Sequence, residues 1–176
     1  YELIGGTWTQ MGASLLSTAP DRLGYDVSLS GDGTRLMVSL QGATVGSEAG
    51  AGKLRVYDWD GSAWNQVGGD IDGREGFGLN ASMSRDGSAV VGYSATNGDY
   101  AAAFELVGSD WVQMGPDFTI PGAFDVHQNV DLSADGSRLI LGSMFGGPPG
   151  QNQGAVSIYD WNGSSWTQVG MDVIGD

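Results

Sequence analysis

The sequence predicts an all-β protein built from repeated four-stranded antiparallel units, and two motifs that recur in phase support this prediction. A Trp-x-Gln-x-Gly motif occurs four times at a spacing of roughly 50 residues, and a Ser-x-Asp-Gly motif recurs between its copies. No segment carries apolar residues at helical spacing beyond a few positions. The motif residues are Trp8, Trp64, Trp111 and Trp166, and Asp32, Asp86 and Asp135.

The first complete unit supplies four predicted strands in order. Residues 25–30 and 35–40 flank the pair Asp32-Gly33, which predicts a hairpin because glycine readily adopts the positive φ of a tight turn. Residues 53–59 form the third strand, and a second turn leads into the fourth strand at 64–68. The matching strands of the next units are 79–84, 89–94, 100–107 and 111–115, then 129–133, 138–143, 156–161 and 166–170.

Four antiparallel strands at this period are typical of a β-propeller blade. The second strand carries apolar residues at both odd and even positions, as in Leu36-Met37-Val38, so both of its faces are apolar. This is expected where neighbouring blades cover both faces of a sheet. A two-layer sandwich would alternate more cleanly. We therefore predict about three blades plus one strand. The predicted divisions are 1–12 as the outer strand of a preceding blade, 13–68, 69–115 and 116–170 as blades 1, 2 and 3, and 171–176 as the start of a connection.

Two stretches of the chain resemble known propeller repeats. Residues 77–92, which begin with Phe77-Gly78, resemble the FG-GAP repeats of integrin-type propellers. The Ser-x-Asp-Gly-x-Arg-Leu phrases that begin at Ser30 and Ser133 resemble WD-repeat-like blades of the TolB kind. Similar repeats are familiar from large secreted or surface proteins of marine bacteria and algae. The resemblance implies a binding, adhesive or structural role outside the cell.

Three blades do not close a propeller ring, because natural propellers have about four to eight blades. The spare Trp-containing strand at 1–12 favours a fragment of a longer repeat chain over the second alternative, in which further copies of this chain complete the ring. A solenoid-like stack of the units is a third alternative to a closed ring. Among the classes of function, a self-assembling structural protein whose exposed blade edges pair between chains is also open.

Composition narrows the classes of partner. The chain has 21 acidic and 7 basic residues and a formal net charge of −14, which disfavours binding to nucleic acid. No apolar run approaches the roughly 20 residues of a membrane-spanning helix. Cysteine is absent, so thiolate metal sites and disulfides are excluded. We expect a protein or glycan partner, with no nucleic acid and no membrane span.

The candidate binding residues each have two explanations. The repeated tryptophans could stack on sugar rings, but their identical place in every unit favours packing. Asp70 and Asp72, which Gly73 follows, are weak calcium candidates, since calcium prefers about six to eight oxygen ligands and a fuller Asp-x-Asp-x-Asp-Gly loop is missing. Turn formation by aspartate is the favoured explanation, and no cofactor is expected.

The sequence offers no catalytic motif. His127 is the only histidine and has no partners that suggest a Ser-His-Asp triad. Glu75, Glu105 and Asp125 could meet in the fold as the acids of a lyase or glycosidase, but nothing singles them out. We therefore predict a non-catalytic module for binding, adhesion or structural assembly that is not an enzyme. The alternative is a catalytic propeller with acidic residues at the mouth of the channel.

Two N-glycosylation triplets bear on localisation. Asn162-Gly163-Ser164 lies in a predicted exposed turn, whereas Asn80-Ala81-Ser82 lies in a predicted strand. Asn162 is therefore the favoured acceptor. Together with the family resemblance, this predicts an extracellular or cell-surface protein.

Overall fold

The computed structural model describes residues 1–95, 100–119, 128–144 and 153–175. All regular secondary structure in these ranges consists of β-strands. Within them, no helix could cross a membrane. The strands are β1 (Glu2–Ile4), β2 (Thr7–Thr9), β3 (Leu23–Leu29), β4 (Arg35–Leu40), β5 (Lys53–Trp59), β6 (Trp64–Gln66), β7 (Ile71–Asp72), β8 (Asn80–Met83), β9 (Ala89–Ser94), β10 (Tyr100–Val107), β11 (Asp110–Gln113), β12 (Phe118–Thr119), β13 (Gln128–Leu132), β14 (Arg138–Ser143), β15 (Ala155–Trp161), β16 (Trp166–Gln168) and β17 (Val173–Ile174).

Three antiparallel sheets share one topology. Their strands lie in chain order, as β3-β4-β5-β6, β8-β9-β10-β11 and β13-β14-β15-β16, and each sheet carries one further short strand on its third strand. The first strands β3, β8 and β13 contact one another in sequence, which places them at the inner edge of adjacent blades. The predicted all-β fold of four-stranded propeller blades is confirmed. The three sheets are called blades 1, 2 and 3 below.

The outer strand of each blade is interrupted. In blade 1, β6 pairs with one half of β5, β7 pairs with the other half, and the chain leaves the sheet at residues 68–70, after Val67 N has donated to the Val56 carbonyl at 2.8 Å. The Gln66 amide donates to Asp70 Oδ1 at 3.0 Å across this break. The same bond joins Gln113 to Asp117 at 2.7 Å and Gln168 to Asp172 at 2.6 Å. The repeated glutamine therefore links the two halves of the outer strand, and each sheet continues past the glycine at which its outer strand was predicted to end.

A hairpin precedes blade 1 where a single strand was predicted. Strands β1 and β2 pair around Gly5 and Gly6, which have φ values of 56° and 85°. After the hairpin, Gly12 lies against the Trp59 ring, because a Cβ at Gly12 would be 2.9 Å from Trp59 Cζ3. The hairpin thus stands where the outer two strands of a preceding blade would stand.

Two tryptophans of the repeated motif connect neighbouring blades, whereas Trp8 is 67% exposed. Trp111 Nε1 donates to the Val67 carbonyl at 3.0 Å, and Trp166 Nε1 donates to the Met114 carbonyl at 2.6 Å. Gly68 has a φ of +70°, and a Cβ there would lie 2.9 Å from Trp111 Cδ1. The glycine of one motif therefore makes room for the indole of the next, which explains why the two residues recur together.

Each Ser-x-Asp-Gly turn is held by its aspartate. Asp32 Oδ1 accepts hydrogen bonds from Thr34 N at 2.9 Å and from Ser30 Oγ at 2.7 Å. These bonds, led by the one from the Thr34 backbone, lower the pKa of Asp32 to about 2. Asp86 and Asp135 accept the equivalent bonds in blades 2 and 3.

We expect these turns to make the fold sensitive to acid. A carboxylate whose pKa is lower in the folded state stabilises the fold above its unfolded pKa, and this contribution disappears as the pH falls to the folded pKa. For Asp32 that window runs from about 3.8 down to about 2. Thermal unfolding followed by circular dichroism should therefore show the melting temperature falling over this range, and Asp32→Asn should flatten the fall. Asp110→Asn, in β11, is the matched control, and equal flattening by both variants would contradict the assignment.

Candidate functional site

The connection between blades 1 and 2 ends in a fully buried aromatic residue. Phe77 is 0% exposed, and its ring stacks on Tyr100 with centroids 5.7 Å apart. Its backbone N–H donates to the Ala51 carbonyl at 2.8 Å. A Cβ at Gly52 would collide with the backbone of Phe77, and one at Gly73 would overlap its side chain. Two glycines of blade 1 therefore form a cleft, and Phe77 of blade 2 fills it.

Blade 3 repeats the strand pairing of this cleft beside an open groove of about 660 Å³, where the Gln153 backbone carbonyl, rather than an aromatic ring, lies against Gly175. In both blades the later glycine donates its N–H to the carbonyl of the earlier one, at 3.0 Å in blade 1 and 3.1 Å in blade 3. The strand pairing beside them is also the same. The matching residues are Gly52 and Gly154, Leu54 and Val156, Ile71 and Val173, and Gly73 and Gly175. We call the groove on blade 3 the trailing groove.

Burial distinguishes the two clefts. In blade 1, Met37 and Leu54 are 0% exposed and Ile71 is 3% exposed beneath blade 2. In blade 3, Ile140 at the position of Met37 is 40% exposed, and Val173 at the position of Ile71 is 64% exposed. The trailing groove is therefore the matching apolar surface, and no blade formed by the described residues covers it.

The opposite end of the chain presents a second exposed apolar surface. On β3, Tyr25 is 51% exposed, and Val27 and Leu29 are each 57% exposed. The residues of β8 that match Val27 and Leu29 are Ala81 and Met83, which are 8% and 5% exposed because they pack against blade 1. We call the exposed side of β3 the leading face. Isolated exposed apolar residues are ordinary, but contiguous ones mark interaction surfaces.

A polar contact accompanies the apolar one at each described blade junction. Asp26 Oδ2 accepts from Ala81 N at 2.8 Å, and Asn80 Oδ1 accepts from Val130 N at 3.0 Å. Each acceptor lies on the first strand of one blade, and each donor lies on the first strand of the next. Asn129 holds the next position in this series and lines the trailing groove. The groove thus combines an apolar cleft with an amide at its inner edge.

A smaller recess of about 130 Å³ lies between blades 1 and 2. The Arg74 guanidinium lies 3.7 Å from the centroid of the Tyr100 ring and 2.7 Å from Asp117 Oδ2. Burial raises the pKa of Tyr100 to about 12, which keeps its hydroxyl protonated. Arg74 therefore lines the recess and joins the segment that follows β7 to blade 2 through a cation–π contact and an ion pair. Nothing in the sequence pattern predicts this pairing.

The predicted calcium candidates lie beside basic side chains. Asp70 accepts from Arg55 Nε at 2.6 Å and from Lys53 Nζ at 3.2 Å, and Lys53 Nζ also lies 3.0 Å from Asp72 Oδ1. The Arg55 contact is the main cause that lowers the pKa of Asp70 to about 2. Within the described ranges, no three acidic or histidine side chains are grouped to hold a metal ion. Calcium binding by Asp70 and Asp72 stays a prediction, and these contacts supply other cationic partners.

The remaining predicted residues are dispersed. Asn162 lies in an exposed turn, where its Oδ1 accepts from the backbone N–H groups of Ser164 and Ser165 at 3.0 and 2.9 Å, and its glycosylation stays a prediction. Glu75 and Glu105 are not brought together, since Glu75 precedes Phe77 and Glu105 lies near the far end of β10. The predicted candidates His127 and Asp125 lie outside the described residues.

Sequence comparison identifies no relative: no protein-family model and no curated protein matches the chain. Solved structures do match. A protein assigned as a 6-phosphogluconolactonase from Bacteroides uniformis has a TM-score of 0.58 at 14% identity, covering 85% of this chain and 40% of that one. The periplasmic gluconolactonase PpgL of Pseudomonas aeruginosa has a TM-score of 0.50 at 13% identity, covering 82% and 55%. TolB from Acinetobacter baumannii has a TM-score of 0.44 at 18% identity, covering 81% and 31%.

The fold is a β-propeller. This confirms the propeller part of the predicted resemblance, whereas membership of the FG-GAP or WD-repeat families stays a prediction. The prediction that the chain is not an enzyme is wrong, because the structures that it matches include a 6-phosphogluconolactonase assignment and a gluconolactonase. At these identities the likeness establishes the fold alone. The chain spans about 40% of the length of the first of these structures.

Proposed function

We propose that this chain is a protein-binding propeller segment whose trailing groove receives an extended segment with one buried apolar side chain. The observation that carries the proposal is Phe77, because it fills the matching cleft of blade 1 from the neighbouring blade. An open volume of about 660 Å³ lies within the range of ligand-binding clefts. Binding at this groove is independent of any catalytic activity of the protein.

The proposal places the protein in a secreted or cell-surface setting, where propeller segments serve adhesion and assembly. Two observations support this location. Asn162 lies in an exposed turn, and one similar structure is a periplasmic gluconolactonase. Digestion of intact source cells with an impermeant protease is the test: we expect loss of the protein, and complete protection would contradict a surface location.

Binding can be tested with the segment that fills the matching cleft in the same molecule. A fluorescent peptide of residues 74–84 carries Phe77-Gly78 and the following strand. We expect saturable binding to the full chain by fluorescence anisotropy, with a Kd on the order of 100 µM because the free peptide must become ordered on binding.

Two matched controls define the site. The same peptide with Phe77→Ser should bind about tenfold more weakly, since it lacks the buried ring. The protein variant Val173→Asp should bind the wild-type peptide more weakly to a similar degree, because the substitution places a carboxylate in the apolar groove. Equal binding of both peptides, or no effect of Val173→Asp, would refute the proposed function.

A further inference from the structure

Resting on the proposed function, we infer that the occupant of the trailing groove is the leading face of a second copy of this chain. The segments that lead into the first strands of blades 1 and 2 have matching sequences. Leu23-Gly24-Tyr25-Asp26 aligns with Phe77-Gly78-Leu79-Asn80 when the strand registers are superimposed. The leading face therefore carries an apolar residue and a glycine in the order of the segment that fills the blade 1 cleft, whereas Asp26, like Asn80, accepts from the blade that follows it.

Exposure supports the same pairing from both sides. Val27 and Leu29 on the leading face are each 57% exposed, and Val173 in the trailing groove is 64% exposed. Their counterparts at the junction of blades 1 and 2 are buried. Because the two surfaces lie on different blades, copies associate head to tail through a heterologous interface.

The polar groups at the two surfaces are also complementary. Asn80 Oδ1 receives the backbone N–H of Val130 from the next blade. Asn129 takes the place of Asn80 in blade 3, and Val27 takes the place of Val130 in blade 1. In the isolated chain, Val27 N donates to its neighbour Asp26 Oδ1 at 2.8 Å. On association, Asn129 of one copy replaces that local acceptor for Val27 of the other.

The β1–β2 hairpin opposes this association. It stands against the outer part of blade 1 through Gly12 and Trp59, where the outer strands of the incoming blade would lie. A copy that docks in full register must displace the hairpin. Loosening the hairpin is therefore expected to strengthen association, which is the opposite of a general loss of structure.

Sedimentation velocity of the full chain between about 1 and 500 µM tests the inference. We expect a reversible, concentration-dependent dimer. Val173→Asp in the groove and Val27→Asp on the leading face should each weaken it by about tenfold or more, because each introduces a carboxylate into an apolar interface. Val112→Asp is the control, since Val112 is 45% exposed on the outer strand of blade 2, outside both surfaces. Gly12→Val should strengthen the dimer by displacing the hairpin from Trp59.

Mixing the two interface variants tests the head-to-tail geometry. Val173→Asp keeps an intact leading face and Val27→Asp keeps an intact groove, so an equimolar mixture should associate more tightly than either variant alone. A monomeric full chain at 500 µM, equal weakening by Val112→Asp, or a mixture no tighter than its components would overturn the inference. Peptide binding by a monomeric chain would refute the second copy and leave the proposed function standing. If the chain binds no peptide, and if it forms a dimer whose affinity Val173→Asp does not change, both the proposed function and the second copy as occupant are refuted.

Discussion

Gly52→Val is expected to lower the free energy of unfolding by about 4 kcal/mol or more, whereas Gly154→Val should cost about half as much. The two glycines have nearly equal φ values, +86° and +80°, so the backbone strain of a β-branched side chain is common to both variants. They differ in what a Cβ would meet. At Gly52 it would collide with Phe77, including its backbone N at 2.6 Å, whereas at Gly154 the nearest atom is Ser143 O at 3.3 Å.

Urea unfolding monitored by tryptophan fluorescence measures the difference between these variants. Because the strain is shared, the excess loss at Gly52 reports the contact that joins blades 1 and 2. Equal losses in the two variants would show that Phe77 does not hold the blades together. They would also remove the structural basis for treating the trailing groove as the open counterpart of the blade 1 cleft.

Phe77→Ala is the second substitution with a large expected effect. It should lower the free energy of unfolding by about 3–5 kcal/mol, because it removes a fully buried aromatic side chain. Its ring also contacts Tyr100 and Phe104, with centroids 5.7 and 6.2 Å away. Phe77→Leu should lose less than about 1.5–2 kcal/mol, because leucine occupies the matching position, Leu23, in blade 1.

The control for Phe77 is Val107→Ala in the same blade. Val107 is 54% exposed, so its truncation should change stability by no more than about 0.5 kcal/mol. Chemical denaturation of the three variants under one set of conditions gives the comparison. A loss of under about 1 kcal/mol for Phe77→Ala would contradict the assigned role of this residue in joining the blades.

The correction on catalysis follows from what a repeat fold can and cannot exclude. The absence of a triad or metal motif in the sequence predicts a non-enzyme, yet structures that this chain matches include a gluconolactonase. Residues of a propeller site can come from several blades, so their spacing along the chain carries little information. Motif searches therefore test catalysis poorly in this fold.

Local patterns were sufficient for most strands. The bounds of β4, β5, β9, β10 and β14 agree with the prediction, because each strand is a continuous apolar-rich run bordered by a turn signal. The short strands were missed for the converse reason. Ile71–Asp72 is only a two-residue strand, and it pairs with β5 after an interruption that the Gln66–Asp70 bond spans. The hairpin at β1–β2 was missed because its turn is Gly5-Gly6 rather than the repeated Asp-Gly.

The sequence alone determined the repeated four-stranded unit and its aspartate-held turns, because strands and tight turns depend on residues within a few positions of each other. Only the tertiary structure decided what the repeated glycines and tryptophans do. Gly52 and Phe77 are far apart in the chain, as are Val67 and Trp111, and each pair meets only when two blades stack. The two exposed apolar surfaces could not be predicted for the same reason. The same repeat is buried or exposed according to whether a neighbouring blade covers it.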